Sequence, residues 1–246
     1  MAHSTRINGT SYGITGGKCL VNGTSYSIKK GRTLIGGTGY DITFGTPLAA
    51  YAEGDIVRLN ENGSPVEFFV AKHNYESSMN GVGRTLVVRK DCYEERVWNS
   101  AFKNTYSISN IDAWLNGEYL AILDPGIQAS ICTTKFSYTP GDGVQTLGTL
   151  DRSVFILSVS ELGFRTSAVN NEGSTLPIAN LLRVSYMNGS TVSQWTRSPS
   201  LREKYFAGVV YDDGSQGFSQ CTNVEGCRPV FTLPSSIIVG DGGIVA

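Results

Sequence analysis

A repeat with a period of 14 residues opens the chain and restricts what its first segment can become. Ile7-Asn8-Gly9-Thr10-Ser11-Tyr12-Gly13-Ile14 recurs as Val21-Asn22-Gly23-Thr24-Ser25-Tyr26-Ser27-Ile28 and again as Ile35-Gly36-Gly37-Thr38-Gly39-Tyr40-Asp41-Ile42. Each copy sets Asn-Gly or Gly-Gly between short β-prone runs. Those dipeptides suit the two-residue type I′ turn, whose central residues both take positive φ, so the spacing predicts one hairpin per copy. A second turn is expected at Gly16-Gly17 and, one period later, at Lys30-Gly31. One hairpin cannot bury its apolar face in water, and three copies with one Tyr and a few aliphatics each build only a thin layer. The segment therefore reads as an anchor that docks on a larger assembly or on symmetry mates, with a meander packed on the rest of the chain as the alternative. The docking residues would be Ile7, Tyr12, Ile14, Val21, Tyr26, Ile28, Ile35, Tyr40 and Ile42.

The periodicity ends where small residues and Pro47 intervene, a composition that suits a boundary. The expected organisation is a β-repeat domain over 1–44, a linker over 45–53, a larger domain over 54–239 and a tail over 240–246. In the larger domain, residues 55–59 and 66–71 flank Asn60-Glu61-Asn62-Gly63 and read as a hairpin, with a third strand over 84–89. Ser109 or Asn110 caps a short helix carrying Ile111, Trp114 and Leu115, stopped at Asn116-Gly117. Asp124-Pro125 opens another helix, with Asp at the cap and Pro at the first helical position. Residues 154–159 read as a buried strand followed by a helical turn at 160–163, and short strands are expected over 195–199, 206–211 and 228–233. The fold class is α+β.

Composition narrows the function classes. Lys and Arg number 20 against 21 Asp and Glu, so the basic excess that nucleic-acid binding requires is missing. Only 17% of residues are charged, below the roughly 25% of ordinary domains, so Ser, Thr, Asn and Gly must cover much of the surface. No apolar run is long enough to span a bilayer, and no signal peptide or membrane insertion is expected. An odd count of cysteines (Cys19, Cys92, Cys132, Cys221, Cys227) fits a reducing compartment, and no disulfide framework is assigned. Cys221 and Cys227 are close enough in sequence to bridge, but small buried packing groups are the simpler reading. His3 and His73 lie far from any Cys pair, so no metal and no cofactor is implied. Asn8, Asn22, Asn62 and Asn188 sit in Asn-x-Ser/Thr runs that read as turn chemistry.

Five spaced elements carry a resemblance: residues 95–100, residues 111–120, residues 154–158, Trp195-Thr196-Arg197-Ser198-Pro199 and Cys227-Arg228-Pro229-Val230. Together and in this order they resemble the DUF6273 family, over roughly residues 54–239. Cys92 and Cys227 stand where the family usually has an aliphatic residue, which favours a packing role. The resemblance implies a domain similar in layout to C-type-lectin-like and formylglycine-generating-enzyme-like folds, found in Gram-positive gut bacteria and their tailed phages. The repeat also looks like the leader of phage virion proteins that carry this domain. By the same resemblance the chain is expected to be a virion structural protein made in the host bacterial cytoplasm; enzymatic activity is not expected, because only Arg228 stands near Cys221 and Cys227 to lower a thiol pKa and no motif announces a triad with His73. It would be a homo-oligomer at the tail tip or tail fibre, attached to other virion proteins by its repeats and binding a host-surface glycan or protein. The alternative is a capsid decoration or head-fibre protein.

Within that frame Trp98, Trp114 and Trp195 read either as core or as sugar-stacking rings, and Arg197 and Arg228 as forks holding buried carboxylates or carbonyls. By analogy with lectin-like folds, the contact surface is expected at Tyr211, Asp212, Asp213, Ser215 and Gln216, with Trp195, and along 220–225. The calcium-binding signatures of true C-type lectins are absent, so calcium independence is expected.

Overall fold

A computed structural model describes residues 45–240 throughout, and outside them the strands of the repeat and the strand Gly243–Val245. Mostly strand with few helices, the chain is a mixed α+β protein. In the repeat, His3–Ile7 pairs with Thr10–Ile14, Lys18–Val21 with Thr24–Ser27, and Lys30–Ile35 with Thr38–Thr43, each pair antiparallel. The register repeats with the sequence: Thr5 faces Tyr12, Cys19 faces Tyr26 and Thr33 faces Tyr40. One hairpin per copy is therefore seen. Among the described residues each is a separate two-stranded sheet. The dipeptides Asn8-Gly9, Asn22-Gly23, Gly36-Gly37 and Gly16-Gly17, and Ile28 with them, lie outside the described residues. Lys30-Gly31 is not a turn as expected: the third ladder is longer and gives both residues strand partners, Thr43 and Ile42.

Two five-stranded sheets carry the larger domain. The first runs in the order Val154–Phe155, Val230–Pro234, Arg84–Arg89, Ser64–His73, Ile56–Glu61, antiparallel throughout. Its outer strand alternates, with Val57 and Leu59 buried and Ile56 and Arg58 exposed, as one covered face demands. Its inner strands bury continuous runs instead, Phe68 to Ala71 and Leu86 to Val88, because both of their faces are covered. Asn62 and Gly63 join the first hairpin at φ 50° and 73°, the positive pair a type I′ turn needs. Asn188 and Gly189 repeat that device between Ser185–Met187 and Ser190–Val192. Glu61, expected in the first loop, ends the strand instead and is buried against Arg89 Nε at 3.0 Å.

The second sheet runs Glu94–Val97, Val224–Cys227, Gln194–Pro199, Phe206–Val210, Gln216–Gln220, with one parallel pairing where Gln194 faces Gly226. Thr46–Pro47 pairs with Ile238–Gly240, and Leu48, in the segment expected to link, is wholly buried with its N–H on Ile237 O at 2.8 Å.

Ser109 caps the helix Asn110–Trp114, its side chain accepting from Asp112 N at 3.1 Å. The helix does not stop at Asn116-Gly117. It widens into a π turn over Leu115–Tyr119 and ends with Leu120–Ile122. Burial of Leu115 and Tyr119 outweighs the roughly 1 kcal/mol that a helical Gly costs. The Asn116 amide, meanwhile, donates to Val154 O at 2.9 Å rather than ending the helix. Asp124 and Pro125 open Pro125–Ser130 as expected. Of the strand expected over 154–159 only Val154–Phe155 joins a sheet, because the backbone beyond turns to the second sheet: Leu157 O accepts from Arg197 N, and Val159 N donates to Ser198 Oγ. No helix among the described residues is long and apolar enough to cross a membrane.

Candidate functional site

Between Tyr138 and Phe206 much of the chain is irregular, and two buried polar centres hold it. At the first, the Arg197 side chain is fully buried in the middle strand of the second sheet. Its Nη1 donates to Glu161 Oε2 at 2.6 Å and to Ile156 O at 2.9 Å, and its Nη2 donates to Glu172 O at 2.8 Å. The guanidinium lies 4.5 Å from the Phe136 ring centroid, and Tyr75 donates its hydroxyl proton to Glu161. Glu172 accepts from Thr139 N at 2.6 Å and from the Ser198 hydroxyl at 2.5 Å. Burial pushes the Glu172 carboxyl above the usual carboxylate range, against the opposing pull of Arg197 and of those hydrogen bonds. The loops near residues 139, 160 and 172 are thus fastened to one cation.

Asn104 is the second centre. It is fully buried, and its Nδ2 lies within hydrogen-bond distance of Ser200 O, Glu203 O and Phe206 O at 2.9–3.0 Å. Its Oδ1 accepts from Asp142 N at 2.7 Å, and its own N–H donates to Lys204 O at 2.9 Å. A Cβ at Gly141 would stand 2.2 Å from Asn104 O, so only glycine fits that turn.

Two open clefts lie on this loop face. One, of about 360 Å³, is lined by Ser160, Phe164, Arg165, Ser167, Asn170 and Asn171 among others. Its neighbour, of about 320 Å³, is lined by Gly143, Val144, Gln145, Ser200, Arg202 and Lys204 among others. Short bonds join their rims: Leu201 N donates to Ala168 O at 2.8 Å, Gln145 Nε2 to Leu201 O at 2.9 Å, and Asn170 Nδ2 to Gln145 O at 2.5 Å. Next in sequence to Lys204 of the second cleft, Tyr205 stacks against Phe102, with centroids 5.0 Å apart and planes 12° from parallel. Phe102 is exposed and held at φ 58°, a region disfavoured for a bulky side chain.

The residues expected to make contact divide in the structure. Tyr211 to Gln216 form the tip between Phe206–Val210 and Gln216–Gln220, whereas the second cleft, lined by Ser200 and Lys204, borders the other end of Phe206–Val210. The strand therefore separates the tip from the second cleft, while Arg183, packed beside Gly214 of the tip, lays its guanidinium 4.3 Å from the ring of Phe164 in the first. Asp212, Asp213 and Ser215 are exposed, but the Asp213 carboxylate accepts from Ser215 N at 2.8 Å and the Tyr211 ring lies over Gly217, so the tip is satisfied as a turn. Residues 220–225 turn back at the cleft end, where Cys221 N donates to Tyr205 O at 2.9 Å. Trp195, expected among the contact residues, is core: it sits in a central strand covered on both faces, its Nε1 donating to Arg96 O at 2.8 Å. Trp98 and Trp114 are buried too, Trp98 donating to Thr196 O at 3.0 Å and Trp114 covered by the Arg96 guanidinium at 4.2 Å.

Arg197 and Arg228 hold the buried partners expected of them. Arg228 meets only carbonyls, those of Arg89 at 2.7 Å, Leu182 at 2.8 Å and Lys90 at 2.5 Å, and burial pushes its guanidinium down to about 10. No sequence pattern points to Phe102, Asn104, Arg165, Arg202, Lys204 or Tyr205. They belong to no short motif, and what unites them is contact across long sequence separations.

Cys92, Cys132, Cys221 and Cys227 are free thiols. Burial raises the thiols of Cys92 and Cys227 and pushes Cys221 up to about 12, the reverse of what a nucleophile requires. Of these four, Cys132 is partly exposed and should react first with an aromatic disulfide reagent, while the other three should react only on unfolding. Mass spectrometry of the native protein checks this, and early labelling of Cys221 or Cys227 would contradict it. Among the described residues no group of three or more His, Cys, Asp or Glu side chains is arranged to hold a metal ion.

A family model described as Domain of unknown function (DUF6273) matches residues 82–235. No curated protein and no solved structure matches the chain.

Proposed function

The chain belongs to the DUF6273 family, and on that premise we propose that it is a displayed binding protein of a tailed-phage virion. In this reading the larger domain, C-type-lectin-like in layout, is an adhesin at the tail tip or tail fibre. It binds a bacterial surface glycan or protein, and the N-terminal hairpins attach it to other virion proteins. The observation that carries the binding reading is the loop face: two open clefts lined by Arg, Lys, Asn, Gln and Ser, on loops pinned by Asn104 and Arg197. Polar groups held on irregular loops by a rigid scaffold are the usual construction of a recognition surface. The raised thiols give no support to a cysteine nucleophile at Cys221 or Cys227. The register shared by the three hairpins supports an assembly role for the repeat, since one docking geometry then serves three times. Many copies on a symmetric particle would raise a modest single-site affinity by about 10²–10⁴-fold.

Two measurements test the reading. Immunogold electron microscopy with antibody against residues 54–239 should place gold at the tail tip of particles carrying the chain. Gold over the head would instead make it a capsid decoration or head-fibre protein, and bare particles would end the virion assignment. In parallel, the fluorescently labelled full chain should bind whole cells from a panel of Gram-positive gut bacteria. Binding to none of them would end the adhesin assignment.

A further inference from the structure

Three cations, Arg165, Arg202 and Lys204, line the two clefts, and no carboxylate lines either one. Among the described residues none of the three has a carboxylate partner within ion-pair distance, although most other Lys and Arg in the domain's polar networks do. Arg165 instead donates to Asn171 Oδ1 at 2.9 Å and Thr175 Oγ1 at 3.1 Å, and Arg202 to Ser167 Oγ at 3.4 Å, all neutral acceptors. Arg202 thereby reaches from the cleft it lines to the lining of the other. Of the nearby acids, Asp142 pairs with Lys103 at 2.9 Å and also feels Lys204, while Glu203 holds the Tyr205 hydroxyl above its ordinary range. With a net charge of −1 over the whole chain, this cluster is a local concentration of positive charge.

The aromatic pair adjoins that row. Tyr205 follows Lys204 in sequence, and Phe102 precedes Lys103, whose partner Asp142 also lies close to Lys204. The Phe102 ring is held exposed by a backbone conformation that sterics oppose, and it is braced flat on Tyr205. A flat apolar face beside unpaired cations and amide side chains matches a sugar ring that carries an anionic group. The ring's C–H face rests on the aromatic, the anion meets the guanidinium or ammonium, and Gln145 and Asn171 are placed for hydroxyls. Three cations spread over two joined clefts suit anions that recur along a chain.

We propose that the two clefts form one groove for an acidic polysaccharide, with its anionic groups on Arg165, Arg202 and Lys204 and one sugar ring on Phe102. The inference rests on the adhesin reading for its biological setting. Its chemistry stands on the groove alone.

Calorimetric titration of the full chain tests it, with oligogalacturonate, a neutral dextran oligosaccharide of equal length, poly(glycerol phosphate) and oligo(dT) as probes. Oligogalacturonate should bind saturably, dextran about tenfold or more weakly, and added salt should weaken the binding. The double variant R202E/K204E should lose about tenfold or more, and Phe102→Ala should weaken the sugar ligand. These residues are surface ones, and an unchanged melting curve shows that each variant is folded; Arg165→Glu supplies an independent reversal in the other cleft. Tighter binding of poly(glycerol phosphate), with the same sensitivity to charge reversal, would support the groove and assign the anion to phosphate. Equal binding of oligo(dT) with no effect of Phe102→Ala would overturn it in favour of unselective polyanion attraction, and so would binding of no anionic probe. Cell binding separates the two readings. Absence of oligogalacturonate binding together with cell labelling that R202E/K204E leaves unchanged sinks the groove and spares the adhesin, whereas oligogalacturonate binding without cell labelling does the reverse.

Discussion

Replacing Arg197 with Met is expected to destabilise the larger domain by about 3–5 kcal/mol, the cost of breaking a fully buried ion pair by removing one partner. The side chain is 0% exposed, and so is that of Glu161. Met keeps much of the volume, and its thioether can still lie against Phe136, so packing loss is the smaller part. What it cannot replace is the charge. Glu161 would remain buried with only Tyr75 and Ser158 N as hydrogen-bond donors, and the carbonyls of Ile156 and Glu172 would lose the guanidinium. Against a typical domain stability of about 5–15 kcal/mol, the loss leaves a marginal fold. Urea denaturation measures it. The double variant R197M/E161Q should recover part of the loss, because the orphaned carboxylate is gone; R197K should not, since one ammonium cannot serve acceptors spread around a planar fork. A change below about 1 kcal/mol in R197M would mean that the network contributes no net stability.

That pair illustrates what the sequence could and could not disclose. Arg197 and Arg228 stand out in short recurring elements, and the expectation of buried carboxylates or carbonyls needs only the chemistry of a guanidinium inside a strand. Which acids would answer is not legible: Glu161 lies 36 residues away and the Glu172 carbonyl 25, and no periodicity connects them. The strands expected over 84–89, 55–59 and 66–71 are legible because alternation, with Val57 and Leu59 on either side of Arg58, and continuous apolar runs report burial directly. Glu94–Val97 and Gln216–Gln220 are not, since both are edge strands whose polar residues carry no such pattern. Trp195 misleads for a related reason: a Trp suits a sugar platform and a core equally, and only its place in a central strand decides between them. The loop face is hidden most completely, because loops obey no period and its residues meet only after the sheets have formed.

Changing Asn104 to Ala should cost about 2–3 kcal/mol and, unlike the change at Arg197, should act locally. The amide has two N–H protons for three carbonyls, so at least one is shared, and all three lie on the 200–206 segment. Alanine removes the side-chain partner of those carbonyls and of Asp142 N, leaving Glu203 O and Phe206 O only the backbone N–H groups of Phe206 and Ser200, in a place where Asn104 itself has no exposed surface. The sheets do not depend on these bonds. Hydrogen exchange should therefore quicken over 139–145 and 200–206 while the amides of Arg84–Arg89 and Val230–Pro234 stay protected. Asn104→Asp sharpens the test. Its shape is unchanged, yet a carboxylate would face three carbonyl oxygens with no proton to give, so Asp should be worse than Ala at neutral pH and should improve on acidification as the carboxyl takes up a proton. If instead Asp matched the original residue, or if Ala left exchange in both segments unchanged, Asn104 would not be what holds the loops. The clefts would then owe their shape to the bonds that remain, among them Asn104 N to Lys204 O, Leu201 N to Ala168 O and Gln145 Nε2 to Leu201 O.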